Sequence, residues 1–233
     1  MGALILLGYV VYMAGSALAG SGSGPGGTAA PPGDAGDVGD QMRMSAGALL
    51  MLVNSAAVVG IGVLVFPVVR LHHEISAYAY LVTRVFEAAM MAVGTLCLLL
   101  LIPLGREYAD AGAGGGSVLP ALARVAQEGN FYSYQIAMTG LGIGSVLFCR
   151  ALFRARLVPR FMAVWGIVGY VIFAAGSMLE ILGYGVGLAL SVPGGLFEIA
   201  LAVLLIVKGF PAVRSRDPEG VAGRVEVPVA QGA

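Results

Sequence analysis

Six long apolar stretches constrain this chain more than any other feature. They run Gly2–Ala19, Ser45–Val69, Ile75–Ile102, Phe131–Leu152, Phe161–Leu182 and Val192–Val207, the last being the shortest and open to a start a few residues earlier. About 20 mostly apolar residues in helical form cross roughly 30 Å of hydrocarbon. Inside lipid each backbone polar group must find its partner within its own segment, so all six are read as helices. Composition agrees: 58% of the 233 residues are hydrophobic and only 11% charged, where a soluble domain carries about a quarter charged residues. A water-soluble domain, a nucleic-acid binder and a disordered chain are all excluded. The reading is an all-α, polytopic membrane bundle of six transmembrane helices over residues 1–210, with 211–233 as a flexible tail.

Net charge is uninformative, since 13 basic residues balance 13 acidic ones. Their placement carries the signal, because cytoplasmic connections collect Lys and Arg. One orientation puts Arg70, Arg150, Arg154, Arg156, Arg160, Lys208, Arg214 and Arg216 on one side, against Arg43, Arg106 and Arg124 on the other. Both termini are therefore expected in the cytoplasm and the bundle in the plasma membrane. Ala17-Leu18-Ala19 also has the small-x-small form that a signal peptidase cuts. No basic residue precedes that run, and it exceeds a usual signal core, so it is read as a retained helix. Gly20–Met44 and Gly105–Gly129 read as polar connections. Within the second, Ser117 is placed to cap a short amphipathic helix bearing Leu119, Leu122 and Val125.

Charges inside spans are costly, roughly 2.5–3.5 kcal/mol for Arg even on the mildest scale. Three are found there: Arg84 and Glu87 in the third span and Glu198 in the sixth. Arg84 and Glu87, three positions apart, share a helix face and can pair. Helical rise places Glu87 about 18 Å and Glu198 about 15 Å from the cytoplasmic edge. Asn54 in the second span and Thr139 in the fourth count to nearly the same level. The expectation is a midplane cluster of Arg84, Glu87 and Glu198 with Asn54 and Thr139, facing the bundle interior. One Arg cannot neutralise two carboxylates, which suits a site for a polar or ionic solute or a proton. The same residues would also serve as an interhelical clamp with no turnover.

Other features point to packing or anchoring. Glu180 counts to the outer interface, where a carboxylate is ordinary. Tyr132, Tyr134 and Gln135 read as an aromatic-belt anchor, and Trp165 and Pro159 as anchor and helix start. Gly140-x-x-x-Gly144 fits close helix approach. His72-His73-Glu74 lacks a third ligand at metal-binding spacing, and Cys97 and Cys149 lie too far apart in depth to bridge. Val85-Phe86-Glu87-Ala88 faintly echoes Leu196-Phe197-Glu198-Ile199, as inverted repeats can. Serine-hydrolase, zinc-protease and nucleotide-loop motifs do not occur, so no cofactor is implied. A third alternative, an intramembrane enzyme acting on lipid, would need a lateral opening to lipid and a nucleophile or metal, and no residue is identified as either.

Arg156-Leu-Val-Pro-Arg160-Phe-Met-Ala-Val-Trp165-Gly-Ile-Val-Gly-Tyr170, Arg84-x-x-Glu87-Ala88 and Phe197-Glu198 running to Val207-Lys208-Gly209-Phe210 resemble a bacterial integral-membrane family, domain of unknown function 4386. Pro32-Gly33-Asp34-Ala35 resembles its pattern after the first helix. The resemblance implies a multi-span membrane protein and assigns no catalytic or binding residue. The expected role is binding or transport of a small polar solute, with the lipid bilayer and a solute or protein partner around it and no nucleic acid. A non-catalytic scaffold or partner subunit is the alternative.

Overall fold

The computed structural model describes residues 2–20, 38–111 and 118–209. Among these residues seven helices form in chain order: α1 Gly2–Leu18, α2 Val38–Arg70, α3 Glu74–Leu99, α4 Leu101–Ala111, α5 Val118–Ala155, α6 Arg160–Ile181 and α7 Gly187–Val207. No strand is present among the described residues. The structure is thus a polytopic membrane helical bundle. Five helices are long and apolar enough to cross a bilayer, and α1 is a shorter apolar helix of 17 residues, about 25 Å at 1.5 Å per residue.

Helix neighbours trace a closed ring. α1 packs on α2, α2 on α3, α3 on α5, α5 on α6 and α6 on α7, and α7 returns to α1. α4 lies outside this ring, against α5 and α3. The main core fills the ring with residues such as Val65, Tyr80, Phe148, Leu152 and Phe197. Val82, Leu96, Ile143, Val168 and Leu188 stay exposed on the outside. That inverted dressing suits a bundle whose outer surface meets hydrocarbon rather than water.

Small residues let the ring close tightly, as the Gly140/Gly144 pair predicts. A methyl group on Gly144 would collide with the Thr83 side chain, and one on Gly140 would lie 2.6 Å from the Phe86 ring. The α5–α6 turn ends in a hydrogen-bonded cap, with Leu157 N–H donating to Leu152 O and Arg156 N–H to Phe153 O. Arg156 takes the left-handed conformation there at φ +54°, a place usually held by glycine. The equivalent position after α6 is Gly183, φ +86°. Pro159 caps α6, as its placement beside Arg160 implies.

Three expected boundaries change. α2 begins at Val38 rather than Ser45, its added turns carrying an Asp40–Arg43 ion pair at 3.2 Å. The connection expected over Gly105–Gly129 is mostly helix, as α4 and the first turns of α5. Leu98, Leu101, Ala123 and Ala126 form a second small core there with Ala19 and Met51, and Arg106 donates twice to Gln41 Oε1 on α2. α5 runs unbroken through Gly129 and Asn130, because both pack on α3 beside Cys97 and Gly94. Sequence polarity marks these turns as loop, whereas mutual packing at the end of the bundle makes them helical. α7 starts at Gly187, five positions ahead of Val192. Ser117, Pro32-Gly33-Asp34-Ala35 and 211–233 lie outside the described residues.

Candidate functional site

Helical spacing on α3 builds the first half of the site. Tyr80, Arg84 and Glu87 sit at i, i+4 and i+7 and so share one face. All three are buried. Arg84 Nη1 donates to Glu87 Oε2 at 2.9 Å, and Nε donates to the Tyr80 hydroxyl oxygen at 2.9 Å. The guanidinium carbon lies 5.1 Å from the centre of the Tyr80 ring, within cation–π range. Tyr80 is itself held by stacking on Phe148 at 4.3 Å. Gly62 on α2 faces this arginine, and a Cβ there would be 3.0 Å from Arg84 Cβ. Bare backbone at that point gives the arginine stem its room.

α7 supplies the second half. Glu198 Oε1 lies 3.8 Å from Arg84 Nη2, close enough for an ion pair and too long for a hydrogen bond. Its stronger partners are two phenols. Tyr170 on α6 donates to Oε1 at 2.6 Å, and Tyr9 on α1 donates to Oε2 at 2.6 Å. One carboxylate therefore ties α1, α6 and α7 together beside the arginine of α3.

A cavity of about 190 Å³ lies against this cluster, and every ring helix contributes to its wall. Arg84, Glu87, Glu198 and Asn54 all line it. Thr139 does not. Its hydroxyl donates to Gln135 O, one turn back on its own helix, at 2.9 Å. α5 reaches the cavity through Tyr134, Met138 and Leu141, and position 139 is turned about 100° away from Met138 by the helical period. Depth alone placed Thr139 in the cluster; facing removes it, and its hydroxyl is satisfied locally as helical threonines commonly are.

The tyrosines are what sequence reasoning missed. Tyr9, Tyr12, Tyr134 and Tyr170 all line the cavity, and Tyr12 stacks on Tyr134 at 5.8 Å. Tyr134, read as a belt anchor with its neighbours, points inward instead, and Gln135 is buried. Tyr132 alone keeps an anchor's exposure, at 43%. The available signal was depth: Tyr9 and Tyr170 sit in the middle of apolar runs, where a phenolic O–H needs an acceptor.

Glu180 also departs from expectation. It lies at the end of α6 as its depth implies, but it is only 3% exposed, its Oε1 accepting the Gly187 N–H at 2.6 Å under the α6–α7 turn. Phe86 and Phe197, matched in the internal echo, differ sharply: Phe86 is exposed and Phe197 fully buried. His73 Nε2 lies 3.2 Å from Arg154 Nη1. Among the described residues no group of three His, Cys, Asp or Glu could hold a metal, and Cys97 and Cys149 are free thiols.

No curated protein and no solved structure matches the chain. A family model does, over residues 1–209. Its span takes in every helix of the ring and the whole charged cluster, so this multi-pass membrane protein belongs to the family described as Domain of unknown function (DUF4386).

Proposed function

We propose that this membrane protein binds a small polar solute in its central cavity as a step in moving it across the bilayer. The observation that carries this reading is the convergence of Arg84, Glu87 and Glu198 on a cavity walled by all six ring helices. A cluster needed only for packing gains nothing from adjoining open volume, because voids cost stability. Intramembrane ionisable groups facing a cavity are the usual mark of a solute or ion path. Beside the cavity, where α1 meets α7, Tyr9 is 37% exposed and the Glu198 side chain 14%. Asn54 belongs to the proposed site; Thr139 is set aside by its facing.

Reconstitution into liposomes tests this. Solute-driven flux should be lost in Glu87→Gln and Glu198→Gln, with both variants still folded by circular dichroism and size-exclusion chromatography. Flux unchanged in both would end the proposal.

A second reading has its own supporting observation. The Tyr9–Glu198–Tyr170 bonds join three helices, as a structural clamp in a scaffold or partner subunit would. On that reading the same substitutions lower stability, and no aqueous reagent reaches the cluster.

The basic residues of the α5–α6 connection support a cytoplasmic location for it, for both termini and for the tail 211–233, in the plasma membrane. A cysteine at Arg156, in a chain lacking Cys97 and Cys149, should then be labelled only after the cytoplasmic face is opened. One at the exposed Glu128 should be labelled from outside.

A further inference from the structure

The cavity wall is selective in a way that a generic polar site is not. Among the described residues Arg84 is its one basic residue, and that arginine is already committed to Glu87 and Tyr80. Two carboxylates against one guanidinium leave one negative charge uncompensated when both are ionised. Glu198 is the carboxylate that Arg84 reaches less closely, 3.8 Å against 2.9 Å. Both its oxygens accept phenolic hydroxyls. An anionic solute would meet this surplus charge with no free cation to receive it.

The rest of the wall is poor in hydrogen-bonding groups and rich in rings. Beyond the cluster and the phenols, Asn54 and Ser191 supply the polar side chains. A sugar or other neutral polyol would leave most of its hydroxyls unpaired, at a cost for each. Phe173 joins the four tyrosines in lining the cavity. Aromatic faces attract cations through their quadrupole, most strongly where water is excluded. A carboxylate among several aromatic rings, with apolar surface between them, complements a positive charge carried on an apolar body.

We propose that the cavity takes a small organic cation, a protonated or quaternary amine, with its charge against Glu198 and its body against the faces of the tyrosines. This rests on the reading of the cavity as a binding site and names the chemical class of its ligand.

Three isosteric probes test it on the full-length protein in lipid nanodiscs: choline, the neutral 3,3-dimethyl-1-butanol and the anionic 3,3-dimethylbutyrate. Choline is expected to bind at least about ten-fold more tightly than the alcohol, in keeping with desolvated cation–π strength, and the carboxylate not to bind. Glu198→Gln should remove that preference. The probe comparison needs only the unaltered protein, so it stands even if Glu198→Gln fails to fold. Access is measured separately with a small thiol reagent on Asn54→Cys, in a chain lacking Cys97 and Cys149. Equal or tighter binding of the alcohol or the carboxylate overturns the cation assignment and keeps the binding site. A reactive Cys at position 54 without choline binding or protection overturns the assignment and leaves the open cavity. An inert thiol with no binding of any probe overturns both.

Discussion

The hydroxyl of Tyr9 donates to Glu198 at 2.6 Å across 189 positions of chain. That bond joins the first helix to the last and closes the ring at its seam. α1 and α7 otherwise meet near the Gly2 end, where a side chain on Gly2 would collide with the Ala202 carbonyl. Farther along, α1 leans on α2 through Gly15 and Gly47, and α7 leans on α6 through Leu190 and Gly176. The Tyr9–Glu198 bond is therefore the polar fastening at the middle of this interface.

A double-mutant cycle should detect it. Tyr9→Phe removes the donor without changing shape, and Glu198→Gln weakens the acceptor. Interhelical hydrogen bonds inside membranes give about 0.6–1.7 kcal/mol in such cycles, so the expected coupling is about 1 kcal/mol. The readout is unfolding free energy in lipid, and additive single-mutant losses would show that the bond carries no such energy.

Arg84 and Glu87 form a tighter pair at 2.9 Å, both side chains buried. Removing one partner leaves the other buried without its counter-charge, so Arg84→Met should cost about 3–5 kcal/mol. Removing both partners relieves that penalty. Arg84→Met with Glu87→Leu should recover most of the stability lost by the single change while flux stays abolished. A double variant that folds and still transports would separate these residues from function.

The charged half of the site is legible in the sequence because hydrocarbon makes charge conspicuous. Arg84, Glu87 and Glu198 stand alone in apolar runs, and counting helical rise sets them at one height before any helix neighbour is known. The phenolic half is not legible in the same way. Tyrosine is common at membrane interfaces, so Tyr134 looks like an anchor until its facing is seen. Facing also decides Thr139, which depth favours and rotation about α5 excludes. Helix ends are obscured for a different reason. The added turns of α2 and α5 are polar enough to look like loop, and they become helical by packing on each other and on α4 around Leu98 and Leu101. Hydropathy records whether a segment suits lipid, and contacts made beyond the lipid leave little trace in it.

Close approach of α3 and α5 depends on Gly144, whose missing side chain accommodates Thr83. Gly144→Val should lower stability by about 1–3 kcal/mol, the usual cost of overfilling a packed interface. Shortening the opposing residue should restore part of this, so Thr83→Ala in the same chain is the diagnostic companion. Unfolding measurements on the pair decide it: a loss in Gly144→Val that Thr83→Ala leaves untouched would place the strain elsewhere.

Glu180 gives a prediction in the opposite direction. Its Oε1 caps the start of α7 through the Gly187 N–H at 2.6 Å, while Oε2 is buried with no hydrogen-bond partner among the described residues. An acceptor is needed there, and a full negative charge is not. Burying a charge without a compensating partner is costly. Glu180→Gln keeps an amide oxygen for the Gly187 N–H and removes the charge, so it should match or exceed the stability of the unaltered chain. Glu180→Ala removes the acceptor as well and should lose about 1–2 kcal/mol by leaving the amide unsatisfied. Thermal unfolding of the three proteins side by side separates the outcomes. If Glu180→Gln is as damaging as Glu180→Ala, the charge itself is required, and Oε2 has a partner that the described residues do not supply.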